Sequence, residues 1–274
     1  MYTELFLEGH GAGSIAALGA LDALLASNAI DRPRVHCYSM GSVIAVALAL
    51  GSTPAQILAA FTASPLLGST GTHLIFSMLT WRGRATTMRR IRAVLFALGV
   101  TRGLTFAALR ETGWDVRVLV ASLATRGTLT FDAGSTPRAR VLDAVVASCS
   151  IPGFLNTGAL VDGGTFGGFC DARIPPEAVS GGALVLAVRS GRIYSTKAHP
   201  ATRLLAAYRA LTRKLGRRWM RDAQAAGATV LHVPHGCALA ARADRVRATY
   251  DASRAWAAAR SSARRAPETV VMPV

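Results

Sequence analysis

Ser39 is the residue of this sequence best placed to act as a nucleophile. It follows a β-branched and aromatic run, Val35 to Tyr38, and precedes a long apolar run that begins at Val43 and is typical of a helix. A tight strand-to-helix turn lifts a serine Oγ clear of the sheet and aims the following helix N-terminus at it. We therefore interpret Ser39 as a candidate nucleophile, with a helix N-cap as the alternative. The turn comprises Cys37, Tyr38, Ser39, Met40 and Gly41.

A glycine-rich turn follows the first predicted strand, Thr3 to Leu7. It runs Glu8-Gly9-His10-Gly11-Ala12-Gly13-Ser14, and helical spacing begins at Ile15. Glycines between a strand and a helix leave backbone N–H groups available to an anion, as an oxyanion hole requires. A dinucleotide turn is disfavoured because the Gly-x-Gly-x-x-Gly pattern fails at Ser14, and no Gly-Lys-Ser sequence indicates a P-loop.

Asp162 is the candidate acid or base. It ends a short apolar strand, Ala159 to Val161, and is followed by Gly163 and Gly164. An aspartate at the end of a strand is often only a turn former. If the sheet is parallel, however, Asp162 lies on the same edge as Ser39, and this placement makes it a catalytic candidate.

Composition indicates a globular protein that is drawn to anionic partners. The chain has 274 residues, 51% of them hydrophobic, and a net charge of +16 that comes almost entirely from arginine. Such a charge favours nucleic acid or acidic lipid headgroups without choosing between them. The four cysteines lack metal-like spacing and are interpreted as reduced thiols. Because Glu4 and Glu8 flank the first strand without a basic leader, we expect no signal peptide and an intracellular location, cytoplasmic or peripheral at a membrane.

Two stretches raise the question of membrane contact. Val35 to Trp81 contains no charged residue except histidine, but glycines and prolines divide it into pieces mostly shorter than the ~20 residues of a membrane span. We interpret it as a buried helix and an apolar loop, with partial insertion into a bilayer surface as the alternative. Arg82 to Arg92 is densely basic beside Trp81, which suits either a helix on an anionic membrane or a solvated helix face.

Alternating strands and helices predict a single α/β domain with a largely parallel sheet. The remaining predicted strands are Val116 to Ala121, Thr128 to Phe131, Ala183 to Val188 and Thr229 to Val233. The remaining predicted helices are Gly41 to Leu50, Pro54 to Phe61, a short helix capped by Thr105, Arg138 to Ala147, Thr202 to Ala225 and Asp244 to Arg264.

The order of these signals resembles the patatin-like phospholipases over nearly the whole chain. The serine turn comes about 30 residues after the glycine turn, and Asp-Gly-Gly follows an Ala-Ser-x-x-Ile-Pro-Gly segment. The segments that carry the resemblance are Gly9 to Ser14 with Gly19 to Leu24, Thr105 to Leu109, Ala147 to Gly153, and Val161 to Gly164. The resemblance implies a three-layer α/β/α fold of patatin type, with residues 1–274 in one domain and a flexible tail at about 264–274.

The resemblance also implies a phospholipase A-type lipid acyl hydrolase with a Ser-Asp dyad and no cofactor or metal. Asp162 would take the proton of Ser39, and the backbone of Gly9, His10, Gly11, Ala12 and Gly13 would bind the oxyanion. An aspartate with a pKa near ~4 is a weak base, so burial must raise that pKa. Phospholipids or other acyl esters are the expected substrates, at an anionic membrane contacted peripherally.

The chain departs from the family pattern at three positions. Gly13 and Ser14 replace a basic residue and a glycine, and Cys37 replaces a glycine and is expected to narrow the pocket beside Ser39. Two alternatives therefore stay open. One is a Ser-Asp-His triad completed by His232 or His235. The other is a catalytically weak or inactive protein that binds anionic membranes or nucleic acid through its arginine-rich surface.

Overall fold

A computed structural model describes residues 1–64, 81–151, 159–165, 169, 179, 182–189, 217–234 and 243–263. The strands are β1 (Tyr2–Leu7), β2 (Ile30–Cys37), β3 (Asp115–Ser122), β4 (Gly127–Phe131), β5 (Leu160–Asp162), β6 (Ala183–Arg189) and β7 (Thr229–Pro234). The helices are α1 (Ser14–Ala26), α2 (Met40–Ala49), α3 (Pro54–Ala63), α4 (Trp81–Ala97), α5 (Phe106–Arg110), α6 (Val141–Ser148), α7 (residues 217–225) and α8 (Ala243–Ala263).

The strands form one mostly parallel sheet in the order β4-β3-β2-β1-β6-β7, with β5 also paired to β3. The four pairs from β3 through β2, β1 and β6 to β7 are parallel, whereas β4 and β5 both run antiparallel to β3. The carboxyl ends of the central strands therefore meet at one edge of the sheet. This edge is where open α/β sheets usually bind their ligands.

Each face of the sheet is covered by its own apolar layer. On one face, alternate residues such as Leu5, Val35 and Val118 pack with the buried sides of α1, α2, α6 and α8. On the other face, Phe6 and Leu119 pack with Trp219 of α7. Alternation of side chains along a strand explains why consecutive residues serve opposite layers. The result is the three-layer α/β/α arrangement that the family resemblance implied.

His36 is a buried polar residue within the second layer. Its ring is 6% exposed and stacks on Phe6 with ring centroids 4.6 Å apart. Burial, followed by the positive charges of Arg117 and Arg34, lowers the pKa of His36 to about 3. The imidazole is therefore held in its neutral form.

The structure corrects one sequence-based expectation about the strands, and other expectations fall on residues that it does not describe. The second strand is longer than Val35 to Tyr38, because it begins at Ile30 and contains Pro33 at an irregularity in its pairing with β1. Proline lacks an N–H, so such an irregular position tolerates it. Segments that lie outside the described residues include 65–80, the 202–216 part of the predicted Thr202 to Ala225 helix, and the tail at 264–274.

Within the described residues, no helix combines the length and apolar character needed to cross a bilayer.

Candidate active site

Ser39 occupies a strained turn between β2 and α2. Its backbone has φ 52° and ψ −132°, a combination that costs a non-glycine residue roughly 1–3 kcal/mol. Gly41 makes the turn possible, because a Cβ at that position would come within 2.5 Å of the Leu7 carbonyl oxygen. Helix α2 consequently begins at Met40, immediately after Ser39. Ser39 is half-buried at the carboxyl edge of the sheet.

The glycine turn lies directly against Ser39. A Cβ built on Gly9 would overlap the Ser39 Cβ and would lie 2.9 Å from its Oγ, so only glycine fits there. Within the turn, the His10 N–H donates to Ser14 Oγ at 2.8 Å and the Gly13 N–H donates to the His10 carbonyl at 3.1 Å. The Gly9 and Gly11 N–H groups donate to no acceptor within the described part of the chain.

Strand β5 places Asp162 opposite the end of β2. Cys37 of β2 pairs with Val118 of β3, and Asp162 pairs with Val120, two residues further along β3. Because β4 occupies the other side of β3, both β2 and β5 lie on the same side. Since β5 is antiparallel to β3, the carboxyl ends of β2 and β5 face each other. The expected placement of Asp162 at this edge thus arises from a strand running opposite to the direction assumed from the sequence.

The Asp-Gly-Gly segment packs against the residue that precedes Ser39. A Cβ on Gly163 would lie 2.7 Å from the Tyr38 Cβ, and a Cβ on Gly164 would lie 3.0 Å from the Tyr38 ring and 3.1 Å from Asp162 Oδ1. Asp162 is 7% exposed, and its Oδ1 accepts a hydrogen bond from the Gly164 N–H at 2.9 Å. Both glycines therefore permit close contact between the serine turn and the aspartate turn.

Ser148 holds the serine turn in place, a role that the sequence did not reveal. Its Oγ accepts a hydrogen bond from the Ser39 N–H at 2.8 Å and donates to the Leu119 carbonyl at 2.7 Å. Ser42 adds a second support, because its Oγ donates to the Ser39 carbonyl at 2.6 Å. Ser148 belongs to the Ala-Ser-x-x-Ile-Pro-Gly segment, so the motif itself was the available signal.

A chain of buried polar side chains joins the glycine turn to the serine turn. The Tyr38 hydroxyl donates to Glu8 Oε1 at 3.3 Å, and the other Glu8 oxygen lies 3.2 Å from His10 Nε2. Glu8 is 8% exposed, so its carboxylate needs these partners. The chain makes the relative position of the two turns depend on Glu8 and Tyr38.

The departures from the family pattern have local explanations. Cys37 is fully buried, and its Sγ donates to the Arg117 carbonyl at 3.4 Å, so it packs inside the fold instead of narrowing an open pocket. Burial raises the pKa values of Cys37 and Cys149, and the negative charge of Asp162 adds to the effect at Cys149. Ser14 supplies the hydroxyl that holds the His10 N–H. Both thiols are therefore protonated.

The structure does not bring His232 to Ser39. His232 lies on β7, at the edge of the sheet and three strands from β2. With about 4.8 Å between neighbouring strands, the separation is roughly 14 Å, beyond direct proton transfer. His235 lies outside the described residues. Among the described residues, no group of three or more His, Cys, Asp or Glu side chains is arranged to hold a metal ion.

A family model, "Patatin-like phospholipase", matches residues 5–172 of the chain, which include the glycine turn, Ser39 and Asp162. The chain belongs to the patatin-like phospholipase family. Membership supports lipid hydrolase activity. The match ends before β6, so the α7 and α8 segments that complete the layers lie beyond the matched region.

Comparison with solved structures gives matches that cover most of this chain at low sequence identity. The structure of VipD from Legionella pneumophila gives a TM-score of 0.47 at 12% identity, covering 92% of this chain and 67% of VipD. The type III effector protein ExoU gives a TM-score of 0.48 at 16% identity, covering 96% of this chain and 53% of ExoU. A structure of ExoU with SpcU from Pseudomonas aeruginosa gives 0.38 at 17% identity, covering 81% and 53%. No curated protein sequence matches.

Proposed function

We propose that this chain is a serine esterase that hydrolyses acyl esters of phospholipids or related lipids, with Ser39 as nucleophile and Asp162 as base. The observation that carries the proposal is the meeting of three turns at one sheet edge. Gly9 contacts Ser39, and the Gly163-Gly164 segment contacts Tyr38 beside it. Family membership supports the lipid substrate class.

In the proposed acylation step, Ser39 Oγ attacks the ester carbonyl carbon while its proton passes to the Asp162 carboxylate. The Gly9 and Gly11 N–H groups, which have no acceptor among the described residues, are the proposed donors to the resulting oxyanion. The N-terminus of α2 stabilises the same negative charge. Collapse of the tetrahedral intermediate breaks the ester bond, and Asp162 returns the proton to the departing alcohol.

Deacylation repeats these roles with water as the nucleophile. Asp162 takes a proton from water, the hydroxide adds to the acyl-serine, and Ser39 leaves with the proton from Asp162 as the fatty acid is released. Asp162 is 7% exposed, so the proposed base is largely shielded from bulk water.

We also propose that residues 1–274 act as one domain, since α8 packs along α1. Tyr250 of α8 donates to Asp22 of α1 at 2.7 Å, and Arg254 pairs with the same carboxylate at 2.5 Å. The C-terminal helix is thereby attached to the first helix after the glycine turn.

The test compares Ser39→Ala and Asp162→Asn with wild type in phospholipid hydrolysis and in labelling by a fluorophosphonate probe. We expect Ser39→Ala to abolish both signals and Asp162→Asn to reduce both by at least ~10²-fold, because each is one of two reacting groups.

Asp132→Asn is the matched control. Asp132 is also a buried aspartate at a strand end, but its carboxylate accepts turn hydrogen bonds from the Gly134 and Ser135 N–H groups. If Asp162→Asn hydrolysed phospholipid at the same rate as Asp132→Asn, the proposed dyad would be refuted.

A further inference from the structure

Helix α4 presents a basic outer surface. From Trp81 to Arg110 the chain contains seven arginines and no aspartate or glutamate. The inner side of α4 is buried through Ile91, Val94 and Leu95. Arg89 and Arg92 are exposed on the side of α4 that faces away from these buried residues.

The outer surface of α4 combines arginine with an exposed aromatic ring. Arg89 and Arg92 are exposed, and Phe96 is 41% exposed at helical spacing from both. Among the described residues, Arg89 donates only to Thr86, one turn earlier, and neither Arg89 nor Arg92 forms an ion pair with an acidic residue. We call Arg89, Arg92 and Phe96 the α4 outer face. Its positive charge is not neutralised by the rest of the described fold.

The C-terminal end of α4 lies near the C-terminal end of α2. After α4, a Cβ on Gly99 would lie 4.0 Å from Leu50, at the end of α2 remote from Ser39. The Leu104 carbonyl accepts a hydrogen bond from the Val141 N–H at 2.9 Å, at the beginning of α6. Helix α4 has 17 residues and α2 has 10, which correspond to lengths of about 25 Å and about 15 Å.

We propose that the α4 outer face docks the protein on an anionic phospholipid surface. The inference rests on the proposed function, because docking brings the protein to the lipid-water interface where the proposed substrate resides. Guanidinium groups bind lipid phosphates through paired hydrogen bonds, and each basic residue near an anionic membrane contributes about 1 kcal/mol. A partly exposed phenylalanine beside them buries its ring at the headgroup boundary.

The experiment measures co-sedimentation with vesicles in a Ser39→Ala background, so that no lipid is consumed. The probes are vesicles of phosphatidylcholine alone and of equal parts phosphatidylcholine and phosphatidylglycerol. We expect binding to the anionic vesicles only, weakened roughly 30-fold by Arg89→Gln with Arg92→Gln, at about 1 kcal/mol per arginine. Phe96→Ser should weaken binding at unchanged charge.

The control is the double variant Arg217→Gln with Arg218→Gln. These two residues are exposed in α7, on the opposite face of the sheet, and their replacement removes the same amount of positive charge. Equal weakening by both pairs would refute docking through α4, as would no weakening by the α4 pair. Salt-sensitive RNA binding that the α4 pair reduces, without vesicle binding, would assign the surface to nucleic acid instead. Fluorophosphonate labelling of the α4 variants with Ser39 intact checks folding and separates a failure of docking from a failure of the esterase proposal.

Discussion

Replacing Ser148 by alanine tests whether one hydroxyl holds the nucleophile turn. The change removes the acceptor of the Ser39 N–H and the donor to the Leu119 carbonyl. A carbonyl has a second lone pair, so the larger loss is the N–H, at about 1–3 kcal/mol for a buried group left unpaired. For a chain of this size we expect the melting temperature to fall by roughly 2–12 °C.

The same loss should reduce reactivity. The free energy of the strained Ser39 backbone is about as large as the stabilisation from its hydrogen bond to Ser148. Without that bond, the turn should relax away from its φ of 52°. We expect the rate of fluorophosphonate labelling to fall by about 10- to 100-fold, since 1.4 kcal/mol corresponds to a factor of ten.

Ser150→Ala is the matched control for Ser148→Ala. The Ser150 hydroxyl donates only to the Val146 carbonyl within the same helical turn, and that carbonyl also accepts from the Cys149 N–H. Its loss should therefore cost little stability and leave labelling near the wild-type rate. Equal labelling rates for the two alanine variants would refute the assignment of Ser148 as a support of Ser39.

Three further predictions follow from single contacts. Gly9→Ala should abolish labelling, because the added Cβ overlaps that of Ser39, while circular dichroism shows a folded protein. Gly19→Ala should lower the melting temperature, because its Cβ collides with the Tyr250 carbonyl of α8; an unchanged melting curve would contradict the close packing of α8 on α1. His36, with a pKa of about 3 in the fold against 6.5 unfolded, binds protons preferentially in the unfolded chain, so stability should be highest above pH 6.5 and fall progressively toward pH 3. The free energy of unfolding, measured by chemical denaturation at several pH values, should depend less steeply on pH in His36→Phe than in wild type.

Much of the fold was predictable because the sequence pattern is locally consistent. The Thr53-Pro54 signal gives a helix with a capping box completed by Gln56, and Thr105 caps α5 as predicted. These features depend on neighbouring residues only. Glycines next to the predicted strands likewise mark the turns at Gly9 and Gly41 in the sequence itself.

Features that depend on distant partners were not predictable. The direction of β5 is decided by its pairing with β3, and three residues carry no signal of orientation. The role of Ser148 requires α6 to end beside β2, about a hundred residues earlier in the chain. The link between Glu8 and Tyr38 similarly joins two turns that the sequence separates by 30 positions.

The opposed strands β2 and β5 make the proposed chemistry sensitive to strand slippage. They do not pair with each other: β2 pairs with β1 and β3, whereas β5 pairs with β3 alone among the described strands. Because neighbouring side chains on a strand point to opposite faces, a shift of β5 by one residue would turn its carboxylate to the wrong side of the sheet. A molecule with that error would keep most of its core and have no reactivity. The fraction of molecules that react with an active-site probe would therefore equal the fraction in which β5 is paired in the correct register.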